Sequence, residues 1–424
     1  MVNDLVSTIF AFMINFEKYS LANGLRVIVH QDKTTPMAAM DVIYDVGARD
    51  ESPHHTGFAH LFEHLMFSGS LNIESYDEPL QRAGGDNNAY TTNDLTSYHC
   101  QLPAVNLETS FWLESDRMLS LNFNENSLAV QQKVVSEEFK EHYINKPYGM
   151  AWHQLRSLAY KKHPYKWMTI GQDLKHIEQA TLNDVKNFFF KHYTPVNAIL
   201  TVAGNVEVSE VIKLAEKWFG DLPPGKKYVR NVPEEPVQRS PAFERINADV
   251  PLDAIYKGWH ICSRLDPRFH AADLISDLLG NGQSSRLHEK LVKQKQLFSS
   301  ISCSHSGSFD PGLLTIVGRL IKGVKLEDAD DAIQEEIEVL KSSNVEIQEL
   351  DKVKNRVESL LAFEDISLLN RANNLGIYEL LGDAALINEE MKYYEAVTPF
   401  DIKTQSNEIF QIDNCSTLYY QSNQ

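Results

Sequence analysis

An internal repeat constrains the fold of this chain more than any other feature of its sequence. The segment 181–202 aligns without a gap within the segment 398–420. Identical residues occupy four of the aligned positions, and apolar residues keep the same offset at two more: Thr181/Thr398, Asp184/Asp401, Lys186/Lys403 and Asn197/Asn414, then Val185/Ile402 and Tyr193/Phe410. A supersecondary unit that occurs twice predicts two homologous halves joined by a linker.

The predicted linker begins within a turn rich in glycine and proline at 219–225 and continues as a charged, proline-bearing run. We therefore predict domains at 13–222 and 242–424, with 223–241 as the linker. A chain of 424 residues is long enough for two such cores. Strand and helix patterns occur in both halves, which indicates an α+β fold with mainly antiparallel sheets covered by helices. In the first half, strands are predicted within 16–30 (a hairpin around Asn23-Gly24), 37–46, 88–102 and 198–202.

Composition and charge disfavour several classes of protein. The net charge of −18 disfavours nucleic acid and anionic membranes as partners. The four cysteines are scattered, which is typical of reduced core residues. No stretch reaches the length of a membrane span. The apolar run at 5–16 lacks the positive flank and the cleavage site of a signal peptide, so we predict a cytoplasmic protein, with the periplasm as the alternative. Residues 1–12 are predicted to be a dispensable extension.

One motif in the segment 58–67 points to specific chemistry. His60 and His64 are four residues apart, so both imidazoles project from one face of a helix. Glu63 lies close enough to that face to reach a metal-bound water. Apolar residues surround this trio and predict a mostly buried helix, in which polar side chains require partners. The order His-x-x-Glu-His is typical of inverzincin zinc sites. A helix with satisfied polar residues on its wet side is the alternative.

A zinc site of this kind needs a third ligand and an open position. The helix predicted at 127–143 offers three carboxylates, those of Glu137, Glu138 and Glu141. Glu138 follows Val134 by four residues and Val135 by three, which places it next to the apolar side of the helix, whereas Glu137 lies more toward solvent. This pattern favours Glu138, and a solvated surface charge is the alternative for each acid.

The stretch 88–102 is rich in Thr, Asn and Tyr and follows a glycine turn. It is either an ordinary polar sheet edge or an edge strand that is left open to pair with an extended peptide. In the second interpretation, the main chain around Asn88, Ala89 and Tyr90 binds the substrate.

Together these features resemble the insulinase/pitrilysin-type zinc peptidases, in particular the single-unit form similar to the mitochondrial processing peptidase β subunit. The resemblance begins near residue 13 and rests on GFAHLFEHLMFSGS, GGDNNAYTTNDLTSYHCQLP, VVSEEF and the repeat. It implies one Zn²⁺ per chain, bound by His60, His64 and Glu138, with Glu63 activating water. The corresponding helix of the second half, predicted at 272–279, has no histidine, so that half is expected to be a metal-free copy. The family fold implies that the chain forms half of a clamshell.

Two departures from the family pattern bear on activity and partners. Gln131 stands where relatives usually carry a glutamate that assists the site, so a supporting charge is missing. Val292 and Ser299 stand where relatives carry an Arg and a Tyr that grip the substrate. In two-subunit relatives that pair belongs to a metal-free partner. The departure therefore favours a heterodimer, with a homodimer as the alternative.

The sequence thus predicts a zinc metalloendopeptidase that hydrolyses short or unfolded peptides, bound as an extended strand in an enclosed chamber. A non-catalytic or weakly active scaffold subunit of the same fold is one alternative, because of the two departures. A metal-dependent hydrolase of another substrate is a second alternative, which the peptide-like edge strand disfavours.

Overall fold

The computed structural model describes residues 13–423. The predicted extension at residues 1–12, and with it most of the apolar run at 5–16, lies outside the described residues. None of the helices within 13–423 combines the length and the apolar character that crossing a membrane requires.

Strands and helices follow one another in two similar series. The strands of the first series are β1 (Glu17–Ser20), β2 (Arg26–Gln31), β3 (Met37–Tyr44), β4 (Asp86–Thr91), β5 (Thr96–Pro103) and β6 (Ala198–Gly204). Its helices are α1 (Phe58–Leu65), α2 (Asp77–Arg82), α3 (Glu108–Leu119), α4 (Glu125–Phe139), α5 (Ala151–Ala159), α6 (Leu174–Glu178), α7 (Leu182–His192) and α8 (Val208–Phe219). A short π-helical segment, Lys140–Ile144, continues α4.

The second series repeats this plan with fewer strands. Its strands are β7 (Ala242–Ala248), β8 (Ala254–His260), β9 (Phe298–His305), β10 (Leu313–Leu320) and β11 (Cys415–Ser422). Its helices are α9 (Phe269–Gly280), α10 (Leu326–Ser342), α11 (Ile347–Glu364), α12 (Leu368–Leu380), α13 (Glu390–Ala396) and α14 (Pro399–Ile409). A π-helical segment, His288–Gln294, precedes β9.

The strands form two sheets of the same design. Their orders are β1-β2-β6-β3-β5-β4 and β7-β11-β8-β10-β9. In the first sheet only the β2/β6 pair is parallel, and in the second only the β7/β11 pair. Apart from β1, strand order and direction therefore match between the sheets. The predicted α+β class with mainly antiparallel sheets is confirmed, and so are the hairpin at 16–30 and the strand pair at 88–102.

Equivalent hydrogen bonds extend the repeat to individual side chains. Both α7 and α14 begin with a capping box, in which Thr and Asp each bond to the other's backbone N–H (Thr181 with Asp184, Thr398 with Asp401). The Asn197 amide donates to the carbonyl oxygen of His192 at 2.9 Å, and the Asn414 amide donates to that of Ile409 at 2.9 Å. Each asparagine thus fixes the passage from a helix end to the following strand.

Two compact units are assembled from pieces of both halves of the sequence. The first comprises the described part of residues 1–136, with 169–231 and 359–390; the second comprises 137–168, 232–358 and the described part of 391–424. This division reflects an exchange of helices. Helix α12, from the second half, packs on β3 and β6, whereas α5, from the first half, packs on β8 and β11. The domain bounds 13–222 and 242–424 stay a prediction about the two copies of the repeat.

Helix α12 lies close against the first sheet. A Cβ atom on Gly376 would lie only 2.7 Å from the Ile43 side chain, so a glycine permits this approach. Leu375 and Ala372 of α12 pack against apolar residues of the sheet. Strand β6 is buried along its whole length, which explains its nearly uninterrupted apolar sequence.

A buried polar cluster interrupts this apolar contact. The carboxylate of Asp41 on β3 accepts hydrogen bonds from Ser97 Oγ and Asn373 Nδ2, each at 2.7 Å. Asn373 lies on α12 and accepts a bond from the Tyr90 hydroxyl at 2.9 Å. Burial raises the pKa of Asp41 to about 7, against the opposing effect of its two hydrogen bonds. The cluster ties β3 and the edge strand β4 to α12.

The raised pKa of Asp41 predicts a pH-dependent stability. Between pH 4 and 7 the folded protein holds a proton that the unfolded chain has released, so this group lowers stability as the pH rises, by about 1.4 kcal/mol per pH unit. The variant Asp41→Asn carries no such proton. We expect its thermal unfolding midpoint, measured relative to wild type, to rise between pH 5 and pH 8.

Asp221 is exposed, so the substitution Asp221→Asn serves as the control for a general change of net charge. A midpoint difference between Asp41→Asn and wild type that does not change with pH would contradict the assignment of a proton to Asp41.

Candidate metal centre

Helix α1 is anchored at its N-terminus by a side chain from the preceding loop. The carboxylate of Glu51 accepts the backbone N–H groups of Gly57 and Ala59, each at 2.8 Å. These are donors that the helix itself cannot satisfy, and a negative charge is favourable at this end of a helix. Gly57 has φ of 88°, and a Cβ there would lie 2.6 Å from the carbonyl oxygen of Ile170, so glycine is required.

One face of α1 is buried in an aromatic cluster. Phe58, Leu61, Phe62 and Leu65 are all buried, as their spacing predicts. The ring of Phe62 stacks on those of Phe188 and Tyr193, with centroids 5.1 and 5.2 Å apart. The polar residues of the motif lie on the half-buried side: the rings of His60 and His64 are 4.8 Å apart between centroids and nearly perpendicular.

The last turn of α4 brings a carboxylate to these two imidazoles. One donor atom each from His60, His64 and Glu138 lie within 4.8 Å of one another. All three side chains are half-buried. Glu137 and Glu141 are exposed, and Glu137 pairs with Lys140 at 2.9 Å. Of the three acids considered from the sequence, the structure places only Glu138 against the histidines.

The prediction that Val134 lies on the apolar side of α4 is wrong, because Val134 is 44% exposed. Val135 is completely buried, together with Leu128 and Phe139. The apolar stripe of α4 is therefore narrower than predicted, and Glu138 adjoins it through Val135 alone.

The donor set fits a zinc ion. Two neutral imidazoles and one carboxylate are the ligands of many catalytic zinc sites, which keep a fourth position open. Ligand atoms about 2.1 Å from one zinc ion in tetrahedral geometry lie about 3.4 Å apart. The donor atoms of His60, His64 and Glu138 lie within 4.8 Å of one another, which is near this spacing.

Gln131 connects the two helices that carry the donors. It lies two turns before Glu138 on α4, and its amide donates to Ser68 Oγ, just beyond α1, at 3.0 Å. A neutral amide therefore braces α4 against the end of α1 at the position where a glutamate was expected. The effect of this exchange on the site stays a prediction.

The predicted substrate residues lie on an edge strand of the first sheet. Asn88, Ala89 and Tyr90 belong to β4, which pairs with β5 on one side only. Asn88 Oδ1 accepts the backbone N–H of Ala89 at 2.9 Å, so a side chain occupies part of the strand's hydrogen-bonding edge. The Tyr90 side chain is directed to α12, where it bonds Asn373. Binding of a peptide here stays a prediction.

Two residues near the motif were not singled out from the sequence. Thr91 Oγ donates to Glu63 Oε2 at 2.6 Å, and Glu51 anchors α1 as described above. Strand alternation could have placed Thr91 on the sheet face opposite Tyr90, but only a structure shows that α1 covers that face. The Glu51 carboxylate gave no local signal, because it lies outside the ordinary position of a helix cap.

The electrostatic effect of Glu138 extends along its own helix. Burial, and then the negative charge of Glu138, raise the pKa of the Tyr143 phenol. Tyr143 therefore stays protonated. Its ring packs edge-on against that of His153 at 4.8 Å.

The second half has no equivalent of the donor set among the residues that the structure describes. The only described group of three side chains with metal-ligand spacing is His60, His64 and Glu138. Helix α9 is longer than the predicted 272–279 and does include one histidine, His270, whose ring stacks on Tyr393.

The two positions at which an Arg and a Tyr were expected also lie in this half. Val292 is half-buried in the π-helical segment before β9. Ser299 is exposed on β9, and its hydroxyl donates to the carbonyl oxygen of Arg319 at 3.1 Å. Neither residue carries a charge or a phenol.

The fold and the donor set define a class: a two-sheet α+β protein with a His-x-x-Glu-His helix, as in the insulinase-type peptidases. Family models agree. Residues 26–173 match the model described as insulinase (peptidase family M16), and residues 179–357 match the peptidase M16 inactive domain. The chain belongs to peptidase family M16. The match to the inactive domain falls on the part without the motif.

Individual relatives are named as proteases or peptidases. The zinc protease PqqE of Helicobacter pylori is 29% identical over 418 residues, which cover 96% of this chain and 93% of the relative. A crystal structure of a protease from Helicobacter pylori superposes with a TM-score of 0.90 at 29% identity and covers 96% of this chain and 99% of its own. An Arabidopsis thaliana protein named "Probable mitochondrial-processing peptidase subunit beta, mitochondrial" is 24% identical over 354 residues, which cover 81% of this chain and 66% of the relative. These relatives support a peptidase.

Proposed function

We propose that this protein is a zinc-dependent endopeptidase that cleaves short or unfolded peptides bound as an extended strand. The observation that carries the proposal is the convergence of His60, His64 and Glu138 beside Glu63, on two helices of one chain. Similarity to proteins named zinc protease supports the same reaction. A scaffold subunit would have no need of this donor set.

The proposed chemistry assigns one role to each polar residue. His60, His64 and Glu138 would hold one Zn²⁺ per chain, which when bound lowers the pKa of water toward ~7 and polarises the scissile carbonyl. The Glu63 carboxylate takes a proton from the attacking water as its oxygen bonds to the carbonyl carbon. Glu63 then passes this proton to the leaving nitrogen as the C–N bond breaks.

The edge strand β4 provides the proposed substrate-binding surface. Its outer edge can add a peptide strand through main-chain hydrogen bonds around Asn88, Ala89 and Tyr90. Because the Ala89 N–H bonds to the Asn88 side chain, a peptide acceptor must displace that amide. Main-chain recognition of this kind reads an extended conformation and few side chains, so a folded protein is a poor substrate.

The ligand assignment predicts zinc contents that differ between neighbouring glutamates. Glu138→Gln and His64→Ala should each weaken zinc binding by more than about 100-fold, since even groups outside the ligand set are worth 10–100-fold. Glu137→Gln, on the same helix but exposed, is the matched control and should keep one zinc per chain. The measurement is zinc per chain by elemental analysis after dialysis at a buffered zinc concentration. A zinc content that is unchanged in Glu138→Gln would overturn this ligand.

The role of Glu63 predicts that metal binding and hydrolysis separate. Glu63→Gln keeps the shape of the side chain but cannot take a proton, so peptide hydrolysis should fall by about a thousandfold or more. The zinc content should stay at one per chain. Turnover of a peptide library is compared between wild type, the variant and chelator-treated wild type. A variant that still hydrolyses peptides near the wild-type rate is incompatible with the assigned base.

For the assembly we propose a dimer with a related metal-free chain; a dimer of two copies of this chain is the alternative. Val292 and Ser299 provide neither of the groups expected to grip the substrate, and one relative is named as a subunit. We expect the purified chain alone to have weak peptidase activity, and to gain activity when a related chain that carries the Arg and Tyr is added. Sedimentation velocity of the chain alone and of the mixture measures the assembly. A monomer at full activity would refute the proposed dimer.

A further inference from the structure

A hydroxyl group on β4, the strand proposed to bind the peptide, contacts the carboxylate of Glu63, which is proposed as the base. Thr91 Oγ donates to Glu63 Oε2 at 2.6 Å. Thr91 is the last residue of β4, and alternation along the strand places it with Ala89 on the face of the sheet that α1 covers. Tyr90 lies on the opposite face, toward α12. The strand proposed to bind the peptide therefore also contacts the proposed base.

The backbone on both sides of Thr91 is held in place. On one side, the Tyr90 hydroxyl bonds to Asn373 at 2.9 Å. On the other side, Thr92 closes the turn to β5: its N–H donates to the carbonyl oxygen of Leu95 at 2.9 Å, and its Oγ accepts the Leu95 N–H at 3.0 Å. The Thr91 hydroxyl is thus presented from a fixed position.

A carboxylate that acts as a base benefits from such a fixed donor. The last torsion of a glutamate side chain has broad, shallow minima, so the plane of the carboxylate is poorly defined by the chain itself. A hydrogen bond to one oxygen selects one plane and aims the lone pairs of the other oxygen. Since proton transfer needs correct alignment, a misdirected base loses rate without loss of substrate binding.

We propose that Thr91 is a positioning residue that fixes the Glu63 carboxylate in register with a peptide bound along β4. This inference rests on the proposed peptidase function. The same strand, β4, then sets both the position of the bound peptide and the position of the Glu63 carboxylate.

The second half of the chain has a helix-to-strand bond of the same kind. His305, the last residue of β9, bonds through Nε2 to Asp273 Oδ1 on α9 at 2.8 Å. β9 is the edge strand that corresponds to β4 in the matching order of the sheets. A bond from the end of the edge strand to a helix carboxylate is therefore a feature of both copies of the repeat.

The test compares substitutions that remove the Thr91 hydroxyl with one that retains it. Thr91→Val keeps the branched shape and removes the donor, whereas Thr91→Ser keeps the donor. With zinc-loaded full-length protein and a peptide that the wild type cleaves, Thr91→Val should lower kcat by about tenfold or more with KM within about twofold. Thr91→Ser should retain most of the wild-type kcat. Thr91→Ala is the second donor-free variant, in case the valine disturbs folding.

Two measurements without turnover separate positioning from structural damage. In the Glu63→Gln background, Thr91→Val should leave the Kd for a fluorescein-labelled form of the same peptide unchanged in fluorescence anisotropy, and zinc content should stay at one per chain. Thr92→Val removes the hydroxyl that closes the turn, and as the structural control it should lower the unfolding midpoint and weaken peptide binding.

The outcomes distinguish this inference from the proposed function. An active wild type with an unchanged kcat in Thr91→Val and Thr91→Ala would overturn the role of Thr91 alone. A lower kcat that comes with an equal loss of peptide affinity or of zinc would also overturn it, because the residue would then be structural. A zinc-loaded wild type that cleaves no peptide would overturn the proposed function and this inference with it.

Discussion

The candidate site depends on the immobility of one eight-residue helix. A helix as short as α1 is not stable on its own in water, so it must be held by its surroundings. Two interactions do this: the Glu51 carboxylate satisfies donors at the N-terminus, and Phe62 stacks within an aromatic cluster. The i, i+4 spacing of His60 and His64 has chemical value only because the opposite face of the helix is fixed in the core.

The covering of each sheet links the two halves of the sequence. Helix α12 lies on the first sheet and α5 on the second, although each helix belongs by sequence to the other half. A chain that ended at the predicted linker, 223–241, would leave the β3/β6 face without the apolar and polar partners that α12 provides. The repeat therefore accounts for the matching strand order of the two sheets, whereas the division into compact units shows which helix covers which sheet.

Local patterns predicted those parts of the structure in which neighbouring residues decide the outcome. The motif helix and the hairpin around Asn23-Gly24 follow from spacing and turn chemistry. Val134 was misplaced, because an apolar residue on a long helix need not face the core, and only the contacts of α4 decide this. The bond between Thr91 and Glu63 joins residues 28 positions apart. The periodicity of a sequence predicts which face of a helix or strand is buried, but not which other element packs against that face. A contact between distant residues such as Thr91 and Glu63 therefore cannot be predicted from periodicity.

The two copies of the repeat show how one architecture yields different chemistry. In the first, the strand end offers a small hydroxyl to Glu63, and the imidazoles of His60 and His64 stand on the helix beside that carboxylate. In the second, the imidazole stands on the strand, and His305 bonds the carboxylate of Asp273 directly, with a further bond from Tyr394. Burial alone would raise the pKa of Asp273, but its interaction with His305, together with the bond from Tyr394 and the charge of Arg264, outweighs burial and lowers it. The carboxylate of Asp273 is thus already hydrogen-bonded to partners within the protein. The candidate centre differs from its copy in its donor set, because among the described residues only His60, His64 and Glu138 have metal-ligand spacing, whereas the helix, the edge strand and the bond between them are common to both.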